Sequence, residues 1–142
     1  MNKLYRIGAI VFGMSVLAGC GTAIDSIGVG DCFNAPEISD VATEVSDVDV
    51  VDCDEPHRYE MYAIDELTNS SFPGESQVGD IADEYCLSRF ETFVGMEYDL
   101  SVYYIYSIYP TSGSWSQGER SIQCALGLDF GTKVGSARNS SE

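Results

Sequence analysis

The chain has 142 residues, a length that suits one domain with a core of modest size. Seven basic and 23 acidic residues give it a formal net charge of −16. A surface this acidic repels nucleic acids and anionic lipid headgroups, which excludes nucleic-acid binding as a function. Because 44% of the residues are hydrophobic and nine are tyrosines, the composition predicts a folded domain rather than a disordered chain.

The first 19 residues have the organisation of a secretory signal. Lys3 and Arg6 provide a positive start, and an apolar run over residues 7–17 follows them. This run is shorter than the roughly 20 residues that a membrane-spanning helix requires. We therefore interpret residues 1–19 as a cleaved signal peptide and not as a transmembrane helix.

The signal ends in a lipobox, the consecutive residues Leu, Ala, Gly and Cys at positions 17–20. We expect Cys20 to be lipidated, with palmitate-type chains that anchor the protein to the extracytoplasmic face of the cell membrane. A plain cleaved signal, in which Cys20 is dispensable, is the alternative. Removing residues 1–19 takes away two basic residues and no acidic one, so the exported chain carries 5 − 23 = −18 charges.

The four other cysteines predict two disulfide bonds, because an even number in an exported chain is typical of covalent staples. They are Cys32, Cys53, Cys86 and Cys124. Three pairings are open to four cysteines. We favour Cys32 with Cys53, and Cys86 with Cys124, because Cys86 falls on a predicted helix face and Cys124 on a strand expected to pack against it.

The predicted secondary structure is one helix and several strands. Small residues over 20–28 predict a short tether after the lipid. The predicted strands are, in chain order, residues 29–33, 45–53, 59–64, 101–109 and 120–128. In the second of them Val48 and Val51 have opposite parity, which suggests a bulge near Val50 or burial on both faces.

Residues 75–94 carry apolar side chains at the three-and-four spacing of an amphipathic helix, and Gly95 is expected to end it. A turn-rich connection over residues 110–118 leads to the last strand. Small and polar residues over 131–142 predict a flexible tail. The expected fold class is therefore α+β, a small disulfide-stapled domain over residues 29–130 with one main helix packed on a mostly antiparallel sheet.

Together these features resemble the septum formation domain family of actinobacterial envelope proteins. The matching positions are Gly30, Asp31, Cys32, Phe33, Val51, Asp52, Cys53, Asp54, Glu55, Pro56, His57, Glu60, Phe72, Pro73, Gly74, Ala82, Cys86, Phe90, Val94, Gly95, Trp115, Gly118, Glu119, Arg120 and Cys124. Two departures stand out: Glu119 replaces an expected aspartate, and a lipobox replaces the transmembrane anchor of many relatives. The resemblance implies a link to septation and supplies no catalytic residues.

The single histidine, His57, lies close in sequence to Asp54, Glu55 and Glu60. This neighbourhood suggests either a metal or acid–base site, or a histidine that braces the turn after Cys53 by hydrogen bonding. We favour the brace, because one imidazole does not supply a histidine-rich zinc site.

An acidic run is consistent either with calcium binding or with a solvated strand face. It comprises Glu44, Asp47, Asp49, Asp52, Asp54 and Glu55. It departs from an EF-hand loop, since Val51 takes the fifth position and the following glycine is missing. We favour the solvated face and expect no metal or other cofactor.

The aromatic residues are the best candidates for a recognition surface. They are Trp115 and the strand tyrosines Tyr103, Tyr104, Tyr106 and Tyr109. Alternation places Tyr104 and Tyr106 on one face and Tyr103 and Tyr109 on the other, so some of these rings must be core. Arg120 is expected to make a structural ion pair rather than a ligand contact.

No catalytic pattern is present, because the chain lacks a nucleophile elbow and the spacing of a redox-active cysteine pair. We therefore expect a lipid-anchored domain that binds envelope proteins, divisome proteins or wall components. The alternative is an extracytoplasmic metal-dependent hydrolase, or a small-ligand or metal-binding lipoprotein, that uses His57 and nearby carboxylates.

Overall fold

The computed structural model describes residues 21–35, 45 and 47–142. The elements in chain order are β1 (Thr22–Ala23), a 3₁₀ turn (Ile24–Ser26), β2 (Cys32–Asn34), β3 (Asp47–Val51), β4 (Tyr59–Glu66), α1 (Glu75–Val94), a second 3₁₀ turn (Tyr98–Leu100), β5 (Tyr104–Ile108), α2 (Ser112–Ser116) and β6 (Ser121–Gly127). The predicted signal peptide, the lipobox and Cys20 lie outside the described residues.

The strands form one six-stranded sheet in the order β1-β3-β2-β4-β6-β5, and every neighbouring pair is antiparallel. The helix α1 packs on one face of this sheet. The predicted α+β class, with one main helix on an antiparallel sheet and two disulfides, is confirmed.

Of the two alternatives predicted for the second strand, the bulge near Val50 is wrong. The β2–β3 pairing runs in continuous register from Asn34 opposite Asp49 to Cys32 opposite Val51. The irregularity lies in β4 instead, between Met61 and Ala63. Because this bulge interrupts the strand alternation, Tyr62 and Ala63 both reach the core on the helix side of the sheet.

The helix α1 has the predicted bounds. It buries one stripe, whose members are Val78, Ala82, Cys86, Phe90, Phe93 and Val94. Gly95 follows it in the left-handed conformation, with φ 83°, and donates its backbone N–H to the Glu91 carbonyl. Glycine adopts this conformation without strain, which is why the helix ends here.

The disulfide Cys86–Cys124 joins α1 to β6 inside this helix-side core, and both residues are fully buried. Cys124 shares its face with Ile122 and Leu126, as predicted. The hydroxyl of Tyr62 donates a 2.8 Å hydrogen bond to the Cys86 carbonyl. The hydrophobic core of the domain is therefore centred on a covalent link between its two layers.

The opposite face of the sheet is also covered, and its cover is the segment that the sequence predicted to be a tether. Ile24 and Ile27 are buried against Phe33, Tyr59 and other apolar residues of that face. The Gln123 side-chain amide donates a 2.8 Å hydrogen bond to the Ile24 carbonyl. The tether prediction is thus wrong for the described residues 21–28, because their isoleucines bury apolar surface that the sheet would otherwise expose.

The tail predicted to be flexible is instead a docked strap. We call residues 131–142 the C-terminal strap. Lys133 forms an isolated antiparallel bridge with His57, and Ala137 is fully buried. Farther along, the Asn139 N–H donates to the Phe93 carbonyl at 2.8 Å. The prediction from polar composition is wrong because backbone hydrogen bonds, rather than large apolar side chains, attach this segment to the domain.

The connection after β5 contains the short helix α2. Thr111 and Ser114 form a reciprocal capping box at its start. No helix among the described residues combines the length and the apolar composition that crossing a membrane requires.

Candidate functional site

His57 lies inside the domain, with none of its surface exposed. Its Nδ1 lies 2.8 Å from the Glu55 carbonyl oxygen, and since a carbonyl only accepts, Nδ1 carries the proton and donates. The His57 and Lys133 backbones exchange two hydrogen bonds of 3.0 and 2.8 Å. The bracing interpretation predicted hydrogen bonding by His57 without naming a partner, and the structure identifies the Glu55 carbonyl as that partner. The backbone bridge to Lys133 connects the same turn to the C-terminal strap.

Glu60 is a buried carboxylate whose oxygens are held by the strap. Its Oε2 accepts from the Ala137 N–H at 2.7 Å and forms a 3.3 Å ion pair with Lys133 Nζ. Its Oε1 accepts from the Ser136 hydroxyl at 2.5 Å. Since an unpartnered buried carboxylate is strongly destabilising, these contacts explain why the strap is docked.

Sequence reasoning missed this site. Alternation in the predicted strand places Glu60 on the face opposite Tyr59 and Met61, where a polar side chain is expected to meet solvent, so the local pattern gave no signal of its burial. The partners of Glu60 lie 73 to 77 residues further along the chain, beyond the range of any local pattern.

An open groove of about 490 Å³ lies beside the disulfide Cys32–Cys53. Three acidic residues line it, namely Asp31, Asp52 and Glu55. One oxygen of the Asp31 carboxylate accepts the Gly28 N–H at 2.7 Å. The groove is therefore an acidic depression at the rim of the sheet.

The described residues bring together one set of three side chains with the spacing of metal ligands, Cys32, Cys53 and Glu60, whose ligand atoms lie within 4.8 Å of one another. Both sulfur atoms belong to a disulfide, and the Glu60 carboxylate is already bound by the strap. Thiolates bind metals and disulfide sulfurs do not, so this arrangement does not fit a metal ion. Neither does it include His57.

The acidic run is exposed where it is described, from Asp47 to Glu55. Within the described part of the chain, no three of its carboxylates lie close enough to share an ion. Glu44 lies outside the described residues. The geometry agrees with a solvated strand face.

Trp115 is buried, with 7% of its surface exposed, and Arg120 covers it. The guanidinium carbon lies 3.6 Å from the centre of the indole ring. One guanidinium nitrogen donates to the carbonyls of Trp115 and Glu119, at 2.8 and 2.6 Å. Both residues therefore have structural roles. The ion pair expected for Arg120 is wrong for the described residues, because its guanidinium stacks on the Trp115 ring and donates to backbone carbonyls.

The Glu119 carboxylate stabilises the start of β6. Although partial burial acts in the opposite direction, hydrogen bonds from the Ser121 N–H and hydroxyl lower the pKa of Glu119, with help from the nearby positive charge of Arg120. Glu119 thus stabilises the start of β6 at the position where the family resemblance predicts an aspartate.

The strand tyrosines divide as the alternation predicted. Tyr103 is buried on the helix side, and its hydroxyl donates a 2.9 Å hydrogen bond to the Glu142 carboxylate. Burial and this contact raise the pKa of Tyr103 to about 12. Tyr106 packs on the other face, with its ring 5.1 Å from that of Tyr59, whereas Tyr104 and Tyr109 are 48% and 38% exposed.

All five basic residues beyond position 20 lie over aromatic rings. The pairs are Arg58 on Tyr59, Arg89 on Tyr85, Arg120 on Trp115, Lys133 on Tyr103 and Arg138 on Phe93, at 3.6 to 5.6 Å. Each pair lies within the distance range of a cation–π interaction. The positive charges are therefore engaged within the domain, while most carboxylates face solvent.

The septum formation family model matches residues 29–140. The chain belongs to the septum formation family. No curated protein and no solved structure gives a significant match. The match extends ten residues beyond the domain end predicted at residue 130, so the septum formation domain includes nearly all of the C-terminal strap.

Proposed function

We propose that this septum formation protein is a lipid-anchored interaction domain on the extracytoplasmic face of the cell membrane, which takes part in septum formation by binding envelope proteins, divisome proteins or wall components. The observation that carries the proposal is the family match over residues 29–140. The lipobox ending at Cys20 supports the anchor and the location.

Two features favour binding over catalysis. His57, the strongest acid–base candidate in the sequence, is buried and braces the strap, and the Glu60 carboxylate is saturated by three partners. The outward-facing charge is predominantly acidic, which favours cationic or cation-bridged partners. The hydrolase interpretation therefore gains no support from the described residues.

The first test is the position of the protein through the division cycle. A fluorogenic tag belongs in the exposed loop at residues 68–71, because the C-terminal Glu142 contacts Ser101 and Tyr103. We expect enrichment at the septum before constriction. A uniform envelope signal from a folded, tagged protein would contradict the septal role.

The anchor is tested separately with Cys20→Ala. We expect this variant to leave the membrane fraction, since the acyl chains account for the attachment. Ser15→Ala, in the same signal segment, is the matched control and should remain membrane-bound. Retention of Cys20→Ala in the membrane fraction would contradict lipid anchoring.

A further inference from the structure

The strand β5 forms one edge of the sheet. It pairs with β6 on one side, and no strand among the described residues pairs with its other side. Residues 122–127 of β6 are all buried, whereas all five residues of β5 retain exposed surface. An edge strand presents alternate backbone N–H and C=O groups outward, and a further strand can pair with these groups.

This edge lacks the usual protection against pairing. Exposed edges are commonly blocked by lysine, by proline or by a bulge. The β5 sequence Tyr-Ile-Tyr-Ser-Ile contains no charged residue and no proline, and its pairing with β6 is regular throughout. Its β-branched and aromatic residues favour extended pairing.

Exposed apolar side chains gather at one end of the same edge. Tyr104 is opposite Gly127, so Val102 and Phe130 extend from the two strands toward the same end. Val102, Tyr104 and Phe130 are 55%, 48% and 80% exposed. Such side chains would contact alternate side chains of an added strand and bury apolar surface.

The charge of the domain favours an incoming strand that is basic. The exposed carboxylates of Asp99 and Asp129 lie close in sequence to this apolar end, and the basic residues of the domain already lie over its own aromatic rings. A second copy of the exported chain would bring another net charge of 5 − 23 = −18 to the contact. A basic segment would instead be attracted.

We propose that the outer edge of β5 binds an extended segment of a partner protein, rich in lysine or arginine, as an added antiparallel or parallel strand. This inference rests on the proposed interaction role and specifies its surface. A five-residue strand is about 17 Å long, so a segment of about seven residues covers the edge and its apolar end.

The probe is a synthetic seven-residue peptide that alternates lysine and valine. It is titrated into the full chain in a non-ionic detergent and followed by calorimetry and by backbone amide NMR. We expect binding with the largest shifts at the amides of residues 102–108. A peptide that alternates glutamate and valine should bind at least about tenfold more weakly.

N-methylation of the probe separates strand addition from simple charge attraction. N-methylation of every probe residue blocks both edges of the peptide strand, whereas methylation at alternate residues leaves one edge intact. We expect the fully methylated probe to lose binding and at least one half-methylated probe to retain it through its intact edge. Equal binding by the fully methylated and the unmethylated probes would overturn strand addition.

Tyr104→Lys tests the surface, and Leu87→Lys is its matched control, because Leu87 is 53% exposed on α1 and the charge change is the same. We expect Tyr104→Lys to weaken probe binding about tenfold or more and Leu87→Lys about twofold at most. Circular dichroism and the melting temperature establish that both variants fold. Equal weakening by the two variants would overturn the β5 site.

The edge site at β5 and the septal role can be rejected independently of each other. Probe binding at β5 in a protein that is uniformly distributed in the envelope would retain the edge site and reject septation. Septal enrichment without any probe binding would overturn the edge site. Concentration-dependent self-association that Tyr104→Lys removes would identify a second copy as the occupant and overturn the basic partner.

Discussion

The two disulfides of this protein lie in different surroundings. Cys86–Cys124 joins α1 to β6 within the helix-side core, and both of its residues are fully buried. Cys32–Cys53 joins β2 to the turn after β3 at the acidic groove, and Cys53 is only half-buried. Beside it, the Gly135 N–H donates a 2.6 Å hydrogen bond to the Cys53 carbonyl.

The two disulfides therefore have different structural roles. The inner disulfide fixes the distance between the helix and the sheet, and the apolar residues around it pack against the bond. The outer disulfide fixes the turn after β3, and the Cys53 carbonyl of that turn accepts one of the hydrogen bonds that dock the C-terminal strap. Removing the inner bond should therefore weaken the whole domain, whereas removing the outer bond should mainly loosen the rim and the strap.

The largest effect is expected from replacing the inner pair, Cys86→Ala with Cys124→Ala. The closed loop spans 38 residues, and its loss costs about 4 kcal/mol of unfolding free energy in the chain-entropy model, before any cost of the cavity. Urea unfolding measures the loss. Leu87→Ala, at an exposed position on the same helix, is the control and should change stability little.

The outer pair, Cys32→Ala with Cys53→Ala, should cost less, about 3 kcal/mol, because its loop spans 21 residues. Its greater exposure also predicts that it is reduced first. Graded dithiothreitol followed by alkylation and mass spectrometry should label Cys32 and Cys53 before Cys86 and Cys124. Simultaneous labelling of all four would contradict the distinction between rim and core.

A smaller effect is expected where the strap meets the buried carboxylate. Ser136→Ala removes one hydrogen bond to the charged Glu60 and should cost about 2 kcal/mol. Hydrogen exchange should quicken at the amides of Ala137 and Asn139. Thr132→Ala, at an exposed strap position, is the control, and an equal effect there would contradict a specific role for Ser136.

The smallest effect concerns Glu119, which lies outside both disulfide regions. Its pKa is lowered in the folded state, so its contribution is present above the ordinary glutamate value of 4.5 and is lost as the pH falls through the lowered value. Glu119→Gln lacks this contribution, so its melting temperature should fall less between about pH 5 and pH 3 than that of the wild type. Parallel melting curves with identical pH slopes would contradict this prediction.

The predictions from sequence differ most from the structure at the rim, which comprises the turn at Cys53 and the C-terminal strap docked on it. The helix-side core follows from periodicity, since the spacing of Val78, Ala82 and Cys86 predicted a helical stripe and the alternation of Ile122, Cys124 and Leu126 predicted the strand that meets it. The Cys86–Cys124 pairing was favoured from these two patterns, and the structure confirms it together with Cys32–Cys53. The rim has no comparable repeat, because single polar contacts build it.

The sequence by itself determined the fold class, the bounds of α1 and the family, and it favoured the cysteine pairing that the structure shows. These properties depend on local periodicity and on residue types at fixed spacings. Only the tertiary structure decided the sheet order, the burial of Glu60 beneath the strap, the burial of Ile24 and the exposed edge at β5. These depend on hydrogen bonds and contacts between residues far apart in the chain, for which local sequence carries no signal.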